Sequence, residues 1–321
     1  MDLSPRNVVG HLQREVVRSF WHGAPLSSYQ VLCLRSFLRN GFAVEVFTYQ
    51  PEIGCPAGVT QRDAREVWPT DHVLCYQTGL GQGSPALHSD LFRYKLLQRY
   101  GGWWTDLDVF CFRRPLPELD IFFAAEPHDA SFFNGAILKF PRRHPLLDQA
   151  IERSEAVGEN ASWGQIGPYL LAKLIAEHGL AANGQSYPAA YPLAWNEVAA
   201  LFDPARCEEV KERCKKAWFI HLFNEVWRGA GVPQHFGPPR GSYLDWLFVT
   251  FAPDIAFHHR LEFPYAGSWI ENRIGRLILD SELGAARARL AGLAAERDKL
   301  TSELGRNQNS PSGLGGTGSA A

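Results

Sequence analysis

The sequence predicts an α/β fold: an open, largely parallel sheet with helices on its faces. Two stretches carry that expectation. Residues 16–49 read strand, helix, strand: the apolar run Val16 to Trp21 ends at His22-Gly23. Ser27 to Asn40 then repeats apolar residues at helical spacing (Tyr29, Leu32, Cys33, Phe37) and closes at Gly41, before a second strand from Ala43 to Tyr49. A β-α-β order implies a right-handed crossover and a parallel pair. Residues 84–112 read as a helix, a two-glycine stop and a strand. Ser84 and Pro85 suit a helix start, and Gly101 suits a left-handed stop. Ligands of such sheets gather at the carboxyl ends of the strands. Trp21, Gly23 and Tyr49 therefore belong to the edge where a site is expected.

The strand after the stop, Trp103-Trp104-Thr105-Asp106-Leu107-Asp108-Val109-Phe110-Cys111-Phe112, carries two carboxylates inside an apolar run. Buried carboxylates need a cation or several donors, or they are protonated. In an extended segment the two would project to one side with Cα atoms about 7 Å apart. Carboxylate oxygens suit Mg²⁺ or Mn²⁺, which in turn hold phosphate oxygens. In the preceding helix Asp90 and Arg93 lie three residues apart, hence on one face, as a paired and partly buried unit or as a surface ion pair.

The string Ser89-Asp90-x-x-Arg93 followed by Tyr100-Gly101-Gly102-x-x-x-Asp106-x-Asp108 resembles the sugar transferases with a DXD motif, in particular glycosyltransferase family 32. It is also similar to the donor half of the large clostridial glucosylating toxins. The resemblance covers roughly residues 15–230, densely at 84–145. It implies a GT-A fold, a Rossmann-like nucleotide-sugar domain, here with additional C-terminal helices. It further implies a retaining, metal-dependent transfer of sugar from a UDP- or GDP-linked donor to a hydroxyl acceptor. On that reading Asp106, Asp108 and His221 hold Mn²⁺ or Mg²⁺, with Asn224 or Glu225 as substitutes for the histidine. Asp90 and Arg93 hold sugar hydroxyls, and with Asp106 and Asp108 form the catalytic set. Trp21, Gly23, Tyr49 and Trp227 face the nucleotide, with Trp227 covering the diphosphate. Gly102, Asn134 and Gln165 face sugar or acceptor. An inverting enzyme would instead need a base, for which Glu126, Asp129 and Glu225 are available. The acceptor implied is a glycan, a lipid-linked oligosaccharide or another hydroxyl, in bacterial surface polysaccharide assembly.

Each of these residues also has a plainer role open to it: a core Trp, a structural His, a strand Asn bonded to its neighbours. Two rival functions remain. A phosphatase would use Asp106 as nucleophile, although Phe110 stands where a Thr or Val is usual. A non-catalytic nucleotide-sugar-binding scaffold would keep the site and lose the chemistry.

Composition narrows the field. The chain has 321 residues, 45% of them hydrophobic, enough for one large domain or one and a half, and a net charge of −2. Without a basic stripe, nucleic acid is not an expected partner. The opening Met-Asp-Leu-Ser-Pro-Arg-Asn lacks the apolar core of a secretory signal, and no apolar run approaches the length of a membrane span. Six scattered cysteines with no C-x-x-C pair suggest reduced thiols in a cytoplasmic protein.

Further elements expected are strands near 72–75, at 121–125, 132–140, 218–222 and 255–263, and helices at 144–157, 164–178 and 242–251. Residues 224–241 read as a loop. The globular domain is expected over 1–279. In 280–304, Leu283, Ala286, Leu290, Leu293, Leu300 and Leu304 fall on heptad a and d positions, with Arg297 off pattern. That suggests a helical arm that pairs with a second chain as a homodimer or packs on its own domain. Residues 305–321, rich in Gly, Ser and Asn, are expected to be disordered.

Overall fold

The computed structural model describes residues 15–78, 81–113, 116, 118–127, 129–262 and 266–308. Its first strand, β1 (Val16–Phe20), runs parallel to β2 (Ala43–Thr48) through the helix α1 (Ser28–Arg39). Ser27 and Gln30 form a reciprocal capping box at the start of that helix. The strand β3 (Val59–Asp63) adds a third parallel member beside β2; its mixed polar sequence had given no strand signal.

The helix α2 (Ala86–Tyr100) follows, its first turn joined by the Ser84 hydroxyl, which accepts from the Ala86 N–H at 3.2 Å. Gly101 ends it at φ +63°, where a Cβ would also meet the Arg142 nitrogen at 2.5 Å. From there β4 (Gly102–Thr105) enters the sheet parallel to β1. The strands β6 (Phe122–Glu126) and β7 (Asp129–Phe140) complete it as an antiparallel hairpin on β4's other side, giving the order β3-β2-β1-β4-β7-β6. Successive indoles of β4 face opposite ways. Trp104 joins the core under α2, α3 (Pro145–Val157) and α4 (Pro168–Glu177), and Trp103 joins the core on the α1 side. The parallel strands are thus covered on both faces. A Rossmann-like first half, then an acidic turn and an antiparallel pair, is the GT-A arrangement of an α/β fold.

One expectation fails at the centre. Residues 103–112 are not one strand. β4 stops at Thr105, and β5 (Val109–Cys111) belongs to a separate two-stranded sheet, antiparallel to β8 (Phe219–His221). Asp106 to Asp108 form the turn between them, with the Val109 N–H donating to the Asp106 carbonyl.

Three smaller readings are also corrected. Residues 72–75 and, among the described residues, 255–262 are not strands: the second run makes only an isolated bridge between Arg260 and Gly237. Residues 224–229, read as loop, form the short helix α6 (Asn224–Gly229), too brief to show a period. The helices α5 (Cys207–Cys214), α7 (Tyr243–Phe251) and α8 (Ala266–Gln308) follow the order of the chain around them.

Residues up to Leu277 form one compact unit, and those from Ile278 form a second. The second is helical through Gln308, with Leu283, Leu290, Leu293 and Leu300 exposed along it. The part of the expected tail from 309 to 321 lies outside the described residues. No helix among those described is long and apolar enough to cross a membrane.

Candidate active site

Two strand ends meet at a cavity of about 460 Å³. The end of β1 supplies Trp21, His22 and Gly23; the turn after β4 supplies Asp106 and Asp108. Both are carboxyl ends, where the α/β rule places a ligand. The first turn of α2 and the short helix α6 form further walls, the latter with Asn224 and Arg228.

Gly23 adopts φ +124°, a conformation that side chains avoid, although a Cβ there would meet nothing within 4 Å. Its peptide is held from both sides by Gln50. The Gly23 N–H donates to Oε1 and its carbonyl accepts from Nε2, each at 2.7 Å. The Trp21 indole donates to the Ala24 carbonyl at 2.7 Å, which leaves its ring on the cavity wall. His22 beside it has a buried Nδ1 with no partner, and burial lowers its pKa.

Register explains how the acidic turn acquires an imidazole from more than a hundred residues away. In the β5–β8 ribbon Val109 pairs with His221, and the Leu222 N–H donates to the Asp108 carbonyl at 2.8 Å. His221 Nε2 therefore comes to 3.2 Å from Asp108 Oδ2. Phe223 adopts φ +48°, rare for a bulky residue, and packs at a tilt against the imidazole with ring centres 3.9 Å apart. That sharp bend aims the Asn224 N–H at Asp108 Oδ2, at 2.8 Å. One ligand atom from each of Asp106, Asp108 and His221 lies within 4.8 Å of the others.

The two aspartates differ in environment. Burial, with the Asp108 charge beside it, raises the Asp106 pKa against the lowering by Arg93, His221 and Trp104. Burial acts on Asp108 in the same sense, but His221 and the Asn224 N–H reverse it and hold that carboxyl below its usual range. Burial would lower His221, yet Asp108 outweighs it and the imidazole titrates above its ordinary value. The residues fit a divalent cation: two carboxylates, an imidazole with its Nδ1 unpartnered, and an Asn224 amide whose buried Oδ1 and Nδ2 have no protein partner.

Behind Asp106 lies the second half of the site. Arg93 bridges Asp90 at 3.0 Å and Asp106 at 3.1 Å, all but closed off from solvent, with its guanidinium over Trp104. The surface-pair reading of Asp90 and Arg93 is thereby excluded. Two glycines make room for them. A Cβ on Gly135 would come within 2.2 Å of Arg93 Nη1, and one on Gly167 within 2.5 Å of Asp90 Oδ2. Burial is the main influence on Asp90; Arg93 opposes it, and the carboxyl is pushed up to about 6.

Trp21, Gly23, Arg93, Asp106 and Asp108 thus line one cavity, with Asp90 behind Arg93 and His221 behind Asp108. Five other residues that the resemblance assigned to donor or acceptor do not join them, and neither Glu126 nor Asp129, the alternative bases, lines the cavity. Trp227 is fully buried, its indole donating to the Leu222 carbonyl and packing on Tyr29 and Phe202, so it cannot cover a diphosphate. The Tyr49 hydroxyl is engaged by the Trp68 carbonyl and His88. Gly102 stands at the amino end of β4, opposite the site, near the Arg18 guanidinium. The Asn134 amide is used within its own hairpin, donating to Glu126 and accepting from the Ala136 N–H. Gln165 turns back to accept from the Ser162 N–H. Sequence reasoning missed Arg228, which lines the cavity while paired with Glu225 on α6; their three-residue spacing was the available signal. It also missed the roles of His22 and Gln50, for which neither spacing nor residue type gave a sign.

Comparison with known proteins assigns the acidic turn to a class. Residues 80–123 match the family model described as the glycosyltransferase sugar-binding region containing the DXD motif. Among particular relatives, the lactosylceramide 4-alpha-galactosyltransferase of Rattus norvegicus is 28% identical over 176 residues, 51% of this chain and 47% of that one. The alpha-1,4-N-acetylglucosaminyltransferase of Homo sapiens is 32% identical over 89 residues, 28% of this chain and 25% of that one. The chain spans about half the length, or less, of these two curated relatives. Among solved structures, the PaToxG glycosyltransferase aligns over 63% of this chain and 77% of its own, at 14% identity and a TM-score of 0.39.

Proposed function

We propose that this protein is a metal-dependent glycosyltransferase that moves a hexose from a nucleoside-diphosphate donor to a hydroxyl acceptor with retention of configuration. The observation that carries the reading is the Asp106–Asp108–His221 cluster at the wall of a cavity that also holds the Trp21 ring. A Mn²⁺ or Mg²⁺ ion bound there would neutralise the diphosphate as it departs. Asp106, Asp108 and His221 are its proposed ligands, with Asn224 Oδ1 within the same wall.

The chain's own residues do the rest. Trp21 offers a face for the base, and the glycine at 23 lets the nucleotide approach main chain. Arg228, drawn from Glu225, adds positive charge on the leaving-group side. Arg93, held rigid by Asp90 behind it, is placed to hold sugar hydroxyls and so fix the anomeric carbon toward the acceptor. The α linkage in the names of both relatives is what retention from an α-linked donor gives, and it favours UDP-galactose and UDP-N-acetylglucosamine as first donors to test. A lipid-linked or glycan acceptor follows from the same names; a place in bacterial polysaccharide synthesis rests on the sequence resemblance alone.

The test is a panel of UDP- and GDP-sugars, with and without Mn²⁺, read by nucleotide release and product mass. Metal-dependent release with one donor, lost in Asp108→Ala, supports the proposal. Tight binding of UDP and Mn²⁺ without turnover of any donor, across glycan and lipid-linked acceptors, would favour the binding-scaffold alternative.

A further inference from the structure

The helix beyond Ile278 raises a question independent of the donor site. Leu283, Leu290, Leu293 and Leu300 are each about half or more exposed, Ala286 and Arg297 between them are exposed too, and together they form one stripe at heptad spacing. Isolated surface leucines need no explanation, but a contiguous apolar seam on a solvent-exposed helix does. We infer that the seam is covered by the same segment of a second copy of this chain, in antiparallel orientation.

Orientation follows from where the seam is broken. In a parallel, in-register pair each residue of the seam meets its own copy. Arg297 would face Arg297 in the core, two like charges brought together out of water. In an antiparallel pair with Leu290 opposite Leu293, the layers become Leu283 with Leu300 and Ala286 with Arg297, each occurring twice by symmetry. The longest side chain of the seam then faces the smallest. The arginine stem can lie over the alanine methyl while its guanidinium stays at the rim, where it already pairs with Asp298.

Charge agrees. In this register Arg289 and Glu296, both exposed and flanking the seam, face each other across the pair on the same side, again twice. The parallel arrangement offers instead Glu282 with Arg287. That exposed pair contributes little, and it does not offset a buried arginine couple. Such a seam, about 27 Å long from residue 283 to 300, presents the same patch from both copies and so closes as a dimer without propagating.

Sedimentation of the full chain at micromolar concentration tests the association, and disulfide trapping tests the direction. A dimer is expected, and Leu290→Lys with Leu293→Lys should return it to monomer without changing UDP binding. On mild oxidation a mixture of Leu290→Cys and Leu293→Cys chains should cross-link at least tenfold faster than either alone, with wild type as the control for the native thiols. A monomeric wild-type chain overturns the inference. Leu290→Cys alone cross-linking as fast as the mixture overturns the antiparallel register, because that position meets itself only in a parallel pair.

Discussion

Replacing Gly135 by alanine adds one methyl group and probes the centre of the site. Gly135 lies in β7 and its φ is not positive, so the backbone itself accepts alanine, which suits a strand slightly better than glycine. What opposes it is space. The new Cβ would stand 2.2 Å from Arg93 Nη1 and 3.2 Å from Cζ, so the guanidinium must retreat by about 1.2 Å to reach ordinary contact. It has no free direction. Nη1 is 3.0 Å from Asp90 and Nη2 is 3.1 Å from Asp106, and a shift of that size breaks at least one of these contacts. Breaking a buried pair costs about 3–5 kcal/mol when a partner is left uncompensated. Partial relaxation here argues for roughly 2–4 kcal/mol, a fall in Tm of about 3–7 °C for a unit of this size. Thermal unfolding measures the stability, and calorimetric titration with UDP-sugar and Mn²⁺ measures the site. Donor affinity should fall at least tenfold, while Arg93→Lys, which removes the fork, should make the two substitutions strongly non-additive. If Gly135→Ala unfolds within about 0.5 kcal/mol of wild type and binds donor normally, Arg93 is not held as described.

Three further outcomes follow from the same geometry. Asp108→Ala removes the acceptor for the Asn224 N–H and the partner of His221, and should weaken Mn²⁺ binding by about 100-fold or more, read by metal titration, with circular dichroism unchanged. Asp90 titrates near 6 because of burial, so its folded pKa lies above its ordinary value of 3.8. The fold favours the protonated form, so this stabilisation is complete below pH 3.8 and is lost as pH rises through about 6. Asp90→Asn should flatten the urea-unfolding profile in that window, and in the wild type donor KM should worsen as pH falls through 6, a step absent from the variant. Trp227→Phe should cost roughly 1–2 kcal/mol through its lost bond to the Leu222 carbonyl, yet leave donor KM within about twofold, which separates a core indole from one that touches the diphosphate.

What the sequence made legible was local. Asp90 and Arg93 share a face because three residues on a helix always do, and the β-α-β order of residues 16–49 follows from its periods and stops. The residues alone showed His221 as the end of a strand, and only the resemblance pointed to it as a metal ligand. Its approach to Asp108 depends on the pairing of Val109 with His221, a contact between segments more than a hundred residues apart. Three of the residues that lie away from the cavity share a cause. Tyr49, Asn134 and Gln165 each carry a polar group that must be satisfied, and sequence alone does not say by what. In each case a near neighbour does it: His88, the opposite strand of a hairpin, and the Ser162 turn.

The acidic turn shows why the largest error and the soundest reading coincide. The apolar pattern from Trp103 to Phe112 is continuous, so it reads as one buried strand with two carboxylates in it, an arrangement that would be costly without a counter-charge. The chain resolves the conflict by changing partners there. Through the Asp106 N–H, which donates to the Ala136 carbonyl, the backbone bonds to the first sheet; from the Asp108 carbonyl, which accepts from the Leu222 N–H, it bonds to the β8 strand and the residue after it; the turn from Asp106 to Asp108 makes the change between the two sheets. Both flanks stay buried, which explains the hydrophobic signal, and only the turn reaches the cavity. The turn alone would not hold the carboxylates in place. Asp106 is fixed by Trp104 and Arg93 on one side, and Asp108 by the Asn224 N–H and His221 on the other. The pair is therefore preorganised by groups from both sheets, and a substitution at either flank should disturb the geometry between the aspartates as surely as one at the aspartates themselves.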